Sequence, residues 1–175
     1  MKKLKSLLII TAITFSLISC SNASSKKVES STSPESQEMA KPIFENTQFN
    51  QVFQSYLIMK DAMVKTDAVA TKEAAIKLNQ HLVEFKAKKQ MITLSQKIAS
   101  ETDMEKQRTF FLNLSIMMIE LTKTQKLKSG AAYVAYCPMA DNDNGGFWLT
   151  DENAIRNPYF GDRMMKCGKI KETIK

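Results

Sequence analysis

Glycine and proline are scarce in this chain, five and four residues respectively, and neither occurs between Ile43 and Ser129. Without those breakers the stretch is suited to long helices with short connections, not to a turn-rich sheet. There is one histidine, and no Gly-x-Ser-x-Gly or phosphate-cradling glycine loop. No nucleophile is paired with a base, so the pattern points away from an enzyme. No Arg-rich block is present, and positive charge is scattered, which argues against a nucleic-acid partner. Only one apolar run stands out, and it lies at the N-terminus.

That run, Leu7 to Ile18, follows Lys2, Lys3 and Lys5. It has the length of a signal-peptide core and is too short to span a bilayer. It ends in Leu17-Ile18-Ser19-Cys20, which resembles the bacterial lipobox. The resemblance implies removal of residues 1–19 and lipidation of Cys20. The mature chain would then be tethered to a bacterial membrane, facing the periplasm or on the cell surface. Losing three lysines takes the formal charge from +7 to about +4, mildly basic. A Ser-, Lys- and Glu-rich stretch follows, and residues 20–44 are expected to form the lipidated cysteine and a flexible tether.

Residues 45–128 read as a helix bundle. Phe49, Val52, Phe53, Tyr56, Leu57, Met63 and Val64 share one helical face from Thr47 to Lys65, with Lys60 and Asp61 placed outside it. Asp67 offers a cap for a second helix through Phe85, with Ala75, Leu78, Leu82 and Phe85 as its stripe. Met91, Leu94 and Ile98 mark a shorter third helix, which could run on from the second. Thr102-Asp103-Met104-Glu105 matches a capping box. The fourth helix carries Phe111, Leu114, Met118 and Leu121, flanked by further apolar residues, and reads as the central one. The fold class expected is all-α: an antiparallel four-helix bundle. Beyond Ser129-Gly130, Ala131 to Cys137 looks extended and turn signals crowd the remainder. Residues 129–175 are expected to be a loop-rich appendage packed on the bundle.

Three segments carry a resemblance: "SYLIMKDAMVKTDA", "EKQRTFFLNLS" and the tail "YCPMADNDNGGFWLTDENAIRNPYFGDRMMKCG". Together they look like a bacterial family of exported domains of unassigned function. Its members occur alone or fused to periplasmic adaptors of heavy-metal efflux pumps. The likeness runs from about Phe49 to the end, and the tail is its most specific part. It implies a four-helix bundle and an association with copper or related cations; an efflux adaptor is a candidate partner.

The tail residues support that chemistry on their own terms. Cys137, Met139, Met164 or Met165, and Cys167 offer three or four sulfur donors if the two ends of the tail meet. Soft thiolates and thioethers select Cu(I), with Ag(I) next; the segment has no histidine for a usual zinc set. Trp148 could cap a monovalent cation, or simply anchor the tail by burial. His81 could add a ligand if the tail docks beside it, or sit at a helix edge. A disulfide competes with the metal. Once Cys20 is assigned to the anchor, Cys137 and Cys167 are the remaining pair in an oxidising compartment. Their bond would close a loop of about thirty residues and contribute on the order of 3–4 kcal/mol. Methionines can also be plain gap-fillers.

A calcium loop is the sharpest rival. Asp141, Asp143, Gly146 and Glu152 fall at positions 1, 3, 6 and 12 of an EF-hand register. Gly145 and Leu149 occupy two ligand positions, and Pro138 leaves no room for an incoming helix, so calcium is disfavoured. The expectation is therefore a lipid-anchored Cu(I)-binding protein that buffers the ion or hands it to efflux. Its alternative is a helical module with a Cys137–Cys167 disulfide that docks a partner without metal.

Overall fold

The structure, a computed structural model, describes residues 40–175. The expected leader, Cys20 and the tether as far as residue 39 lie outside the described residues. Chain order runs β1 (Ile43–Phe44), α1 (Thr47–Val64), α2 (Ala68–Glu84), α3 (Lys89–Ser100), α4 (Met104–Lys123), β2 (Leu127–Ser129), β3 (Ala132–Cys137), β4 (Gly146–Thr150) and β5 (Lys169–Ile174). A single 3-10 turn, Gly161–Arg163, precedes β5. No helix among the described residues is long and apolar enough to cross a membrane.

Four helices pack in sequence, α1 on α2, α2 on α3 and α3 on α4. Local chemistry sets their ends. The Asn46 side chain accepts from Phe49 N at 3.0 Å and the Asp67 side chain from Ala70 N at 2.9 Å, each satisfying an orphan first-turn donor. Asp103, not Thr102, caps α4, taking Lys106 N at 2.9 Å. The expected capping box is not made. Glu101 accepts from Thr102 N and Asp103 N, and those two bonds hold its carboxyl below the usual range. Glu105 turns instead to arginines. The second and third helices are separate, broken at Lys86, whose φ is 57°.

The tail departs most from expectation. It is not loop alone: β4, β3 and β5 form a three-stranded antiparallel sheet with β3 in the centre, so the fold is mixed rather than all-α. β3 is buried along nearly its whole length, which blurs the alternation that marks a half-exposed strand. β4 lies against α4 and carries the fully buried Trp148. The folded region also starts earlier than residue 45. Ile43–Phe44 pairs with Leu127–Ser129, and Phe44 is buried against Phe49 and Phe53. Asn50 fixes that entry by accepting from Phe44 N at 2.8 Å and donating to Phe44 O at 2.7 Å.

Two placements inside the helices also differ. Lys60 is buried on the inner side of α1, its ammonium 2.6 Å from Asp61 Oδ1. It follows Phe53 and Tyr56 at helical spacing, and pairing offsets the cost of burying its charge. α1, rather than α4, buries more of its side chains. What joins α1 and α4 to the sheet is an aromatic column. Tyr56 stacks on Phe111 at 5.4 Å, Phe111 meets Tyr159 at 5.7 Å, and Tyr159 meets Trp148 edge-on at 5.9 Å.

Candidate functional site

The ends of the tail meet. Cys137 closes β3, Cys167 lies just before β5, and their sulfurs are 2.9 Å apart with both thiols free. Sheet order makes this so. β5 pairs with β3 through Tyr136↔Lys169, which brings the residues next to Lys169 back to the end of β3. Cys137 is fully buried and Cys167 half-buried. The hydrogen bond with Cys137, and then burial, push the Cys167 thiol above its ordinary 9.0, while a bond from the Met139 backbone N–H opposes them. Gly168 makes the approach possible. Its φ is 133°, and a Cβ there would lie 2.7 Å from Tyr136 O and 3.0 Å from the Trp148 ring.

Three polar side chains, two of them not singled out from the sequence, hold this arrangement. Asn157 is fully buried; its Nδ2 donates to Cys167 O at 2.8 Å and its Oδ1 accepts from Tyr159 N at 2.8 Å. Arg108 is nearly buried on α4. Nε donates to Pro158 O at 2.8 Å, and the Nη groups donate to Met63 O, Thr66 Oγ1 and Glu105 at 3.0, 3.2 and 2.8 Å. One guanidinium thereby ties α1, α4 and the tail together. Burial pulls its pKa down and Glu105 holds it up. Tyr56 Oη shares a hydrogen bond with Ser115 Oγ at 2.7 Å and accepts from Leu149 N at 3.1 Å; burial raises the phenol well above its ordinary value. Periodicity could have found Arg108, since it sits on the stripe of Phe111, Ser115 and Met118.

The remaining candidates divide. Met139 and Met164 line one cavity, while Met165 lines another with Asp61, Val64, Lys65 and Arg156. Trp148 is buried on Tyr159 with its ring edge toward Gly168, next to Cys167. His81 is engaged elsewhere: Nδ1 is 2.7 Å from Ser55 Oγ and 3.1 Å from Gln51 O, both on α1. The calcium-loop residues do not gather. Asp141, Asn142 and Asp143 form a left-handed turn (φ 53°, 53° and 67°), and Glu152 pairs with Arg156 at 3.4 Å. Among the described residues no three His, Cys, Asp or Glu side chains cluster as a metal set, so a metal here would depend on the two thiols and neighbouring thioethers.

No curated protein and no solved structure matches the chain. One family model does, over residues 52–130, described as a protein of unknown function, DUF3347. That stretch runs from within α1 to the end of β2 and stops short of Cys137. Over those residues, and leaving the sulfur-bearing tail aside, the chain is similar to the DUF3347 family.

Proposed function

We propose that this is an exported, lipid-anchored protein that binds Cu(I) through Cys137 and Cys167 and buffers it or hands it to an efflux system. The observation that carries the reading is the meeting of the two sulfurs at 2.9 Å. Two thiols side by side, without histidine or a carboxylate cluster, form a donor set that a soft monovalent cation suits best. Binding converts both thiols to thiolates and releases their protons, so the proton competes with the metal. Asn157 holds the Cys167 segment in place, which limits the reorganisation that capture requires. The role is binding, not catalysis. The efflux connection rests on the resemblance of the tail motif to exported domains fused with efflux adaptors. Cys20 supplies the membrane anchor in this reading.

A second reading has its own support. Val69, Ile76 and Val83 are exposed at seven-residue spacing along α2, a face suited to docking a partner, with a Cys137–Cys167 disulfide stapling the tail. A thiol count on the mature protein with and without reductant, followed by Cu(I) titration, separates the two. Free thiols that become protected on adding Cu(I) support the metal reading. A reductant-resistant disulfide with no copper uptake supports the docking module and overturns it.

A further inference from the structure

A cavity of about 490 Å³ opens between α4 and the tail, with Met139 and Met164 in its lining. Two features of these methionines are unusual for gap-fillers. Met139 is 46% exposed, so its thioether does little packing. Both residues lie close along the chain to the sulfur pair. Met139 stands two residues past Cys137, and Cys167 N donates to Met164 O at 3.1 Å. With Cys137 fully buried and Cys167 half-buried, an ion reaches the pair from the Cys167 side.

The charges around the cavity favour a cation. Arg108 and Arg163 line it and share the single carboxylate of Glu105, at 2.8 and 2.7 Å, so with Asp141 and Asp143 the lining carries a net negative charge. Asp141 and Asp143 remain to face an incoming ion. Met165, the neighbour of Met164, lines a different cavity beside Lys65 and Arg156 and so provides an internal control.

Building on the metal-binding reading, we infer that Met139 and Met164 form an outer thioether site, separate from the thiols, that takes up Cu(I) or Ag(I) and passes it inward. Transfer is ligand exchange without electron transfer. A copper–thioether bond breaks as a copper–thiolate bond forms, and the thiol proton goes to water. Neutral thioethers bind a soft ion without losing a proton, so uptake at this site needs no deprotonation step.

The test uses the full chain, reduced and anaerobic, with Cu(I) supplied as its bicinchoninate complex, and reads both loading rate and equilibrium affinity. The variant Met139→Leu/Met164→Leu is expected to load about tenfold more slowly, with a smaller loss of affinity. Met165→Leu is expected to load like the parent. In Cys137→Ser/Cys167→Ser, X-ray absorption is expected to show a weakly held Cu(I) with thioether sulfur only. Single Met139→Leu, at an exposed position, guards against misfolding of the double variant and is expected to slow loading as well. Parental loading rates in both methionine variants would overturn the outer site while leaving the thiol site standing. Equal losses in rate and affinity would also overturn it, by making the methionines ligands of the final site. Failure of the parent chain to take Cu(I) at all would overturn both readings.

Discussion

Arg108 Nε donates to the carbonyl of Pro158 at 2.8 Å, from the middle of the helical layer to the loop that carries the second cysteine. The same guanidinium reaches Met63 O and Thr66 Oγ1 at the end of α1. Replacing it with methionine strands these acceptors and leaves Glu105 with only Arg163. Arg108→Met is expected to cost about 2–4 kcal/mol through the stranded acceptors, measured by urea unfolding. Arg108→Lys is expected to recover little, because an ammonium cannot serve acceptors spread around a planar fork.

Tyr56 offers a milder test of the same junction. Tyr56→Phe keeps the ring on Phe111 but leaves Leu149 N and Ser115 Oγ without their partner. The expected loss is about 1–3 kcal/mol, with the fold intact. Burial holds the phenol of the parent above its ordinary 10.0. Ultraviolet titration should therefore show the Tyr56 phenolate absent at a pH where exposed tyrosines have ionised.

The sequence pattern reads most clearly where one physical signal dominates. Helical periodicity placed α1 and α2 to within a residue or two and found the buried stripe of α4, and Asp67 was legible as a cap because its side chain has only a local task. Thr102 was misleading. Three acceptors, Glu101, Thr102 and Asp103, compete within one turn, and the outcome depends on side-chain geometry. Lys60 was assigned outside the buried face because its charge outweighed its position on the stripe. The sheet was only half visible. β3 looked extended, but β5 is mostly exposed and charged, so nothing local announces that it returns to pair with β3. That pairing brings Cys137 and Cys167 together; spacing alone left their proximity conditional. Asn157 was missed because its partner is a backbone carbonyl distant in the chain, which composition cannot reveal, and Arg108 because its charge masked its place on the buried stripe of α4.

Trp148 provides an optical reporter. It is the only tryptophan, fully buried, with its ring edge against Gly168 beside Cys167. Its emission should be blue-shifted in the folded protein, and Cu(I) should quench it. The quenching is expected to vanish in Cys137→Ser/Cys167→Ser. Quenching that persists there at the same copper concentration would place the ion elsewhere.

The Cys167 thiol sets the pH dependence. Its hydrogen bond with Cys137, followed by burial, raises its pKa above 9.0, so the folded state favours the protonated thiol. For the reduced, metal-free protein this contribution is fully present below the unfolded pKa and is lost as pH rises through the folded one. Alkylation by iodoacetamide should accordingly be slow at neutral pH and accelerate only above the usual cysteine range. Metal binding has the opposite trend: Cu(I) affinity should rise with pH across the neutral range, because each thiol must release a proton. Competition titrations at several pH values check both signs.

The most direct measurement is a Cu(I) competition titration of the reduced chain and of its Cys137→Ser and Cys167→Ser variants. The result expected is one tightly held Cu(I) per chain, with each single replacement weakening binding by about a hundredfold or more through loss of a thiolate. Absence of copper uptake by the parent, or serine variants that bind as tightly as the parent, would contradict the account.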